Sequence, residues 1–450
     1  MNTRVFSYVG TFVLALGSVT AALSGSPQYS AKTPAIDLGS AHRFEGNGQI
    51  TVTIALKLPN ADEMQALVNS IYTPGDPNFR HFLTAEEFSA KFGPVPETVE
   101  RLTRHMQAAG LTIERAGVAH LRASGAMEAI EHEFGVSFHT FEIPATTDAA
   151  AYRFRAPAGP AQISTLIAGD VEAVVGLDSR PRFHPMHHRP QSTLQLREVR
   201  PATAAPNTPD APGKWTVADL AQYYDVNPLY KRGVSGKGRT IGIVTLAAFT
   251  PSDAFAYWAS LALQVDPLRI KITNIDGGPG APSDASGSDE TTLDVEQSGG
   301  LAPGAKIVVY QAPNTDQGLL DAFARAIYDN NTDAISTSWG EWEELLVQGT
   351  GISDPNAAGE LRAFDNLFIQ AAIQGQSLSA AAGDAGSYDA SDSFPPRPSP
   401  TFFLSITRRL IRTSWPRAAR RCPASNSTRF PTAVPSPSMS RGSVHGAGIT

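Results

Sequence analysis

Residues 239–249, RTIGIVTLAAF, decide the fold that the amino-acid sequence predicts. They form a near-continuous apolar run, which is typical of a strand buried on both faces of a sheet. Residues 305–311, 334–339 and 378–382 have the same character. Between the first two of these runs, residues 317–328 place apolar side chains at helical spacing. Strands that alternate with helices in this way predict a parallel α/β sheet.

The chain upstream of this sheet, from about residue 48 to residue 180, has a different pattern. Residues 51–56 alternate between apolar and polar side chains as a strand does, and residues 61–72 have helical spacing. Further helices are predicted at 96–109 and 126–134, and further strands at 113–116, 120–123 and 137–141. Helices and strands of this length predict a compact α+β sandwich. None of its motifs has the composition of an active site.

The composition of the 450 residues excludes several classes of protein. With 36 basic and 43 acidic side chains, the net charge of -7 gives no reason to expect nucleic acid as a partner. A single cysteine, Cys422, excludes an intrachain disulfide framework and any site that needs several cysteines. The chemistry must therefore come from carboxylates, hydroxyls, histidines or backbone groups.

The two ends of the chain differ from the rest. After Arg4, an apolar run reaches Leu23 and ends in small residues, which predicts a secretory signal peptide over residues 1–23 and a secreted protein rather than a permanent anchor. Residues 393–450 contain nine Arg but no Lys, Asp or Glu, and they have no sustained apolar period. This stretch is either a disordered basic tail or an aberrant, out-of-frame sequence, and the motifs below favour the second interpretation.

A proline-rich stretch at residues 181–214 predicts a linker between the two regions. Its arginines would be exposed to a protease, so the stretch is a candidate processing site. Its histidines could bind a metal or sense acid, although histidines in a solvated linker more often do neither. The arginines are Arg182, Arg189, Arg197 and Arg200, and the histidines are His184, His187 and His188.

Short motifs of the first region resemble those of a known family. The most specific is PGDPNFRHFLT at residues 74–84, and it is followed in order by EEF at 86–88, FG at 92–93, AGL at 109–111, SG at 124–125, EHEFG at 131–135 and VVGLD at 174–178. Together they cover about residues 48–180, and they resemble the activation prodomain of the sedolisin, or kumamolisin-like, serine-carboxyl peptidases. The resemblance implies a ferredoxin-like α+β prodomain that assists folding and blocks the protease cleft until acid cleavage.

The motif DETTLD at residues 289–294 contains the candidate catalytic carboxylates. A spacing of four places Glu290 and Asp294 on the same helix face, where a shared proton would relieve their repulsion and raise an apparent pKa of the pair. Two carboxylates with this spacing usually lie on a solvated helix face and have no catalytic role. The family resemblance points the other way, because it implies that Glu290 is the general base for a serine and that Asp294 orients it.

Two further motifs follow in the order of the same family. Ser338-Trp339-Gly340 resembles the family's SWG segment, which makes Trp339 a supporting residue, and Ala381-Ala382-Gly383-Asp384 resembles the motif whose aspartate lies in the oxyanion hole. An acidic side chain can serve there only when it is protonated and donates a hydrogen bond. Thr245 stands where some members carry a glutamate that extends the hydrogen-bond chain. Residues 215–394 are thereby identified as the first part of an α/β, subtilisin-like catalytic domain.

The resemblance implies acid endopeptidase cleavage through an acyl-enzyme, which suits carboxylates because a histidine base would be charged at low pH. The family nucleophile is the serine of a Gly-Thr-Ser motif, and a calcium site lies beyond it. Neither is expected in this chain, because the resemblance ends after residues 394–395 and no Gly-Thr-Ser lies between Asp384 and Thr450. The aberrant tail, residues 395–450, contributes no assigned nucleophile or metal ligand.

Three functions remain open from the sequence. The chain could be a peptidase proenzyme that is inactive as written, with protein or peptide substrates and its own prodomain as partners. It could be a noncatalytic protein whose prodomain binds or inhibits a related peptidase. It could also be an unrelated hydrolase that uses Glu290 and Asp294, for example on glycosides.

Overall fold

The computed structural model describes residues 35–40, 48–145, 151–186, 216–341 and 357–383. The predicted signal peptide, most of the predicted linker and the basic tail lie outside these residues. Among the described residues, no helix combines the length and the apolar character needed to cross a membrane.

The described residues of the first region form two antiparallel sheets and four helices. Its elements are β1 (Ile36–Asp37), β2 (Gln49–Leu56), α1 (Ala61–Ile71), α2 (Ala85–Phe92), α3 (Pro96–Ala108), β3 (Thr112–Arg115), β4 (His120–Ala126), α4 (Met127–Phe134), β5 (Phe138–Ile143), β6 (Tyr152–Pro157) and β7 (Val171–Val175). The larger sheet has the strand order β3-β4-β2-β7, and the smaller has the order β1-β5-β6. One face of the larger sheet packs on α3 and α4 around residues such as Val52, Leu102 and Phe134.

Helix α2 is an element that the apolar periodicity did not predict. Thr84 and Glu87 form a capping box, in which the Glu87 N–H donates to Thr84 Oγ1 over 3.1 Å and the Thr84 N–H donates to Glu87 Oε2 over 2.8 Å. This arrangement satisfies backbone donors that the first turn of a helix would otherwise leave unpaired. The T-x-x-E pattern was therefore a usable local signal for this helix.

The second region is a parallel sheet between two layers of helices, as the apolar runs predict. After the short strand β8 (His184–Pro185), its elements are α5 (Val217–Tyr223), α6 (Asn227–Lys231), β9 (Thr240–Thr245), α7 (Pro251–Ser260), β10 (Ile270–Asn274), a 3-10 turn (Asp284–Ser286), α8 (Ser288–Leu301), β11 (Lys306–Gln311), α9 (Asp316–Asp329), β12 (Ala334–Thr337), β13 (Trp339–Gly340), α10 (Ala357–Gln374) and β14 (Ser377–Ala380). The sheet order is β10-β11-β9-β12-β14, and all its neighbouring strands are parallel.

The helices cover both faces of this sheet. On one face, α7 and α8 bury Trp258 and Val295 against Ile243 and Ile307. On the other face, α9 and α10 bury Phe323 and other apolar side chains against Val244, Val308 and Tyr310. Burial on both faces explains why the strand sequences are apolar without alternation.

The free face of the larger antiparallel sheet packs on the outside of α9 and α10. Ala55, Ala173 and Val175 belong to the same buried cluster as Phe323 and Phe364. A polar contact lies beside them, because Thr53 Oγ1 is 2.7 and 2.9 Å from the two carboxyl oxygens of Asp321. The two regions therefore share one core.

The first residues of the predicted linker are held against the second region. Phe183 is buried, and its backbone N–H and C=O bond to the side chain of Asn314 over 3.1 and 2.7 Å. Arg182 was expected to be exposed, but its guanidinium lies 3.2 Å from both Asp178 and Asp316, and only 16% of its side chain is accessible. The ion pairs remove this arginine from the set of accessible cleavage points.

Candidate active site

The sequence motifs meet at the carboxyl edge of the parallel sheet, where ligands of open α/β sheets bind. Strand β9 ends at Thr245, and its neighbour β12 ends at Thr337, immediately before Ser338 and Trp339. Helix α8 passes beside these strand ends, because its residue Thr291 contacts Thr245.

A directional chain of hydrogen bonds fixes Trp339. Its indole Nε1–H donates to Thr245 Oγ1 over 2.9 Å, and Thr245 Oγ1 lies 2.6 Å from Thr291 Oγ1. Thr291 in turn donates to the carbonyl of Ala247 over 3.0 Å. Since the Thr291 hydroxyl proton is used on that carbonyl, Thr245 donates to Thr291 and accepts from Trp339. Thr245 therefore links Trp339 on β13 to Thr291 on α8.

Glu290 and Asp294 lie on α8 as their spacing predicts. Glu290 is only 4% exposed, so it does not belong to a solvated helix face. Asp294 lies one turn further along, and its Oδ1 accepts a hydrogen bond from Ser338 Oγ over 2.7 Å. This bond joins the DETTLD motif directly to the SWG segment.

Gly287 allows α8 to begin close to Trp339. It has a φ of +84°, and a Cβ placed there would lie 2.9 Å from both the Trp339 ring and the ring of Pro185. A residue with a side chain would therefore meet both backbone strain and a steric clash. The glycine sets the approach of the helix that carries Glu290 and Asp294.

Asp384, the predicted oxyanion residue, lies outside the described residues. The chain that leads to it leaves the sheet at the same edge, because β14 pairs with β12 and the Ala381 N–H donates to the Thr337 carbonyl over 3.0 Å. Sequence reasoning placed the motif after a strand, and β14 ends at Ala380.

The first residues of the predicted linker also lie against the SWG segment. Strand β8 pairs antiparallel with β13, with Pro185 opposite Trp339 and His184 opposite Gly340. The Met186 N–H also donates to the Ser338 carbonyl over 2.9 Å. These main-chain groups are therefore already engaged by the protein's own chain.

A cavity of about 600 Å³ opens along the other side of α8. Its lining includes Asp253, Asp289, Thr292, Leu293 and Glu296. Burial, together with the charge of Asp253, raises the pKa of Glu296 to about 7. Sequence analysis did not single out this face, although residues 289, 292, 293 and 296 have the spacing of one helix surface.

The described part of the chain brings together no group of three or more His, Cys, Asp or Glu side chains that could hold a metal ion. Calcium requires six to eight oxygen ligands. No calcium ligand is therefore assigned among these residues.

Comparison with known proteins gives a consistent set of relatives. Residues 38–180 match the family described as Pro-kumamolisin, activation domain. Kumamolisin from Bacillus sp. (strain MN-32) is 34% identical over 351 residues, which cover 76% of this chain and 58% of that protein. Xanthomonalisin from Xanthomonas sp. (strain T-22) is 30% identical over 398 residues, which cover 84% and 45%.

Sedolisin from Pseudomonas sp. (strain 101) is 26% identical over 348 residues, which cover 75% of this chain and 54% of that protein. The chain thus spans about half the length of the curated relatives that it matches. A solved structure of Pseudomonas sedolisin, a serine-carboxyl proteinase complexed with two molecules of pseudo-iodotyrostatin, has 27% identity and a TM-score of 0.29, covering 36% of this chain and 44% of that chain.

Proposed function

We propose that this chain, which is similar to the sedolisin-like serine-carboxyl peptidases, is the proenzyme form of a secreted serine-type endopeptidase that acts at acid pH. The observation that carries the proposal is the buried Glu290 with Asp294 one turn later, held by the 2.7 Å bond from Ser338. Carboxylates on a solvated helix face would require neither the burial of Glu290 nor the hydrogen bond from Ser338 to Asp294.

The proposed chemistry divides the work between the two carboxylates. Glu290 takes the proton of a serine hydroxyl as that oxygen attacks the peptide carbonyl. Asp294 orients Glu290, and Ser338 in turn fixes one oxygen of Asp294. A carboxylate base keeps its capacity to accept a proton in acid, where a histidine would already be charged. This is the physical reason for an acid-acting enzyme.

Asp384 is the proposed oxyanion donor. In its protonated form it would donate a hydrogen bond to the negative oxygen that develops on the attacked carbonyl. Its position after β14, which neighbours β12, supports this role, because both strands end at the edge that carries Ser338.

The serine itself is the part that the 450 residues do not supply. No Gly-Thr-Ser lies between Asp384 and Thr450. We therefore propose that the chain as written forms no acyl-enzyme and is inactive. The family's calcium ion would give structural support rather than a reacting group, and no step here depends on it.

The proenzyme assignment rests on how the first region meets the second. We assign residues 1–23 to a signal peptide, 48–180 to a ferredoxin-like activation prodomain, 181–214 to a linker with a processing site, and 215–394 to the first part of a subtilisin-like catalytic domain. Pairing of β8 with β13 supports this assignment, because it places the chain's own backbone on the SWG segment.

A noncatalytic function is the alternative, and the contact of the first region with α9 and α10 favours it. A first region that docks on α9 and α10 through Thr53 and a shared core could cap a related peptidase. Inhibition of kumamolisin by added full chain, with loss of inhibition in a Thr53→Arg variant, would support this alternative.

The test of the peptidase proposal compares three proteins at acid pH on an unstructured protein substrate. The full chain is expected to give no cleavage. A chimera that joins residues 1–383 to the corresponding C-terminal part of kumamolisin is expected to cleave. Glu290→Gln in the chimera should lower kcat by about 100- to 10,000-fold, because an amide cannot accept the serine proton.

The matched control is Glu296→Gln in the same chimera, since Glu296 lies on the same helix but lines the outer cavity. It should leave kcat near that of the parent chimera. Full turnover by the Glu290→Gln chimera would remove Glu290 from the mechanism. Cleavage by the full chain that disappears in Glu290→Gln would reveal a nucleophile, with Ser414, Ser425 and Ser443 the first to test.

A further inference from the structure

A histidine lies on the sheet face that joins the two regions. His120 is the first residue of β4, and it pairs directly with Ala55 of β2. Directly opposed residues of antiparallel strands point to the same face of the sheet. Ala55 belongs to the core shared with α9 and α10, so His120 faces the second region.

The His120 imidazole is buried without hydrogen-bond partners. The residue is 3% exposed, and neither Nδ1 nor Nε2 has a partner among the described residues. A buried polar group with no partner destabilises the folded state. A positive charge on the imidazole would be still less favourable. Protonation adds a second N–H, and the described residues offer no acceptor for it.

Burial alone lowers the pKa of His120 from 6.5 to about 4. The sign of the effect follows from proton linkage. When the two regions separate, the imidazole reaches water and binds a proton near its ordinary pKa. In the closed protein, the buried imidazole binds a proton only near pH 4. Separation of the regions is therefore favoured as pH falls from about 6.5 to about 4. Above that window the histidine is neutral in both states and has no influence on opening.

Other charged groups on the surrounding elements set the background for this effect. They are Glu114 and Arg115 on β3, Arg122 on β4, Glu172 on β7, Asp276 after β10, Asp321 on α9, and Glu360, Arg362 and Asp365 on α10. Ion pairs also join the regions, for example Arg122 to Asp276 over 2.7 Å and Arg362 to Glu172 over 2.5 Å.

The Asp276 and Asp321 carboxyls act in the opposite sense to His120. Burial raises the pKa of both, and for Asp321 the neighbouring charge of Asp276 adds to the effect. Their protonation favours the closed state, since a neutral carboxyl is cheaper to bury. Protonation of His120 thus acts against the closed state, whereas protonation of these two carboxyls favours it.

We propose that His120 is an acid-sensitive release point, at which protonation of the imidazole separates the antiparallel sheet from α9 and α10. The proposal does not depend on peptidase activity, because it concerns the closing of the two regions alone. It would give a secreted proenzyme a way to loosen its prodomain when it meets acid.

The first test follows the histidine itself in the full chain. Hydrogen–deuterium exchange at the imidazole C2 position, read by peptide mass spectrometry across pH, reports the titration of each histidine separately. His120 is expected to titrate well below its ordinary range. Titration of His120 near pH 6.5 would overturn the proposal without any variant being needed.

The second test measures opening in Asp321→Asn, a background that removes the main opposing carboxyl. Amide exchange in peptides from β4 and α10 should show opening that rises by up to roughly 300-fold between about pH 7 and about pH 4. His120→Gln or His120→Phe should abolish this rise. His132→Gln, at an exposed position on α4, should leave it intact. An unchanged rise in both His120 variants would contradict the proposal.

Discussion

At the scale of single residues, the contact between Thr53 and Asp321 is the most informative. The threonine hydroxyl lies within 2.9 Å of both carboxyl oxygens, and Gln317 Nε2 donates to the same hydroxyl over 3.2 Å. Thr53 is fully buried, and so is most of Asp321. A strand of the first region therefore satisfies a buried carboxyl of the second, which ties the regions together by chemistry as well as by apolar burial.

Thr53→Val should lower the free energy of unfolding by about 1–3 kcal/mol, because the isosteric side chain leaves the Asp321 carboxyl without its donor. Thr51→Val is the matched control, since Thr51 lies on the same strand face but bonds only to Ser124, in a partly exposed pair. The control should cost less than about 1 kcal/mol. Urea unfolding at neutral pH measures both, and equal losses would contradict this account.

The sequence could predict only part of the candidate site. The spacing of Glu290 and Asp294 placed both on α8, because helical geometry is local. The bond from Ser338 to Asp294 and the chain from Trp339 through Thr245 to Thr291 join residues more than forty positions apart. Such pairs depend on strand order, which no local pattern encodes. The role of His120 could not be predicted for the same reason. Alternation along a strand shows which side chains share a face of the sheet, but it does not show which elements pack on that face.

At the scale of elements, the start of α8 carries the site. Its preceding residue, Gly287, combines a φ of +84° with close approach to Trp339 and Pro185. A helix that began with a larger residue could not lie this near to β13. The position of Glu290 and Asp294 therefore depends on a residue without a side chain, whose carbonyl accepts from the Glu290 N–H over 3.1 Å.

Gly287→Ala should destabilise the protein by about 2–5 kcal/mol, from the left-handed backbone and from overpacking against Trp339. Gly277→Ala separates these causes, because Gly277 has a similar φ of +85° but nothing within 4 Å of the added Cβ. The control should cost only about 1–2 kcal/mol. Thermal and urea unfolding measure the difference, and a Gly277 variant as unstable as the Gly287 variant would exclude the steric contribution.

The elements that the sequence predicted well are those with strong local patterns. Strands β9, β11, β12 and β14 were recovered from apolar runs, within a few residues at each end. Strand β10, IKITN, was missed because it is a short edge strand with mostly accessible side chains. Helix α2 was missed although its capping box was visible, since eight residues give little periodicity.

At the scale of the whole molecule, the buried carboxyls between the regions make stability depend on pH. The pKa of Asp321 is raised well above its ordinary value, first by burial and then by the charge of Asp276. A raised pKa stabilises the folded state below the ordinary carboxyl range, and this contribution is lost as pH rises through the folded pKa. The layered arrangement of sheet, helices and second sheet is what removes these groups from water.

Asp321→Asn should therefore become more stable relative to the parent chain as pH rises. Below the raised pKa of Asp321 the parent carboxyl is neutral, so the two proteins should unfold at similar urea concentrations. Above that pKa the parent must either bury a charge or open, and the amide need not. Urea midpoints measured from acid to alkaline pH test this, and a difference that does not change with pH would contradict the titration of Asp321.

The core that Ala55, Ala173 and Val175 share with Phe323 and Phe364 has a consequence for a nicked chain. A cut anywhere between residues 186 and 216 would sever the covalent connection but leave this apolar contact and its ion pairs in place. The two fragments would then behave as a complementing pair with a dissociation constant of its own. Their separation would depend on dilution. A single cut would therefore leave the antiparallel sheet of the first region bound to α9 and α10.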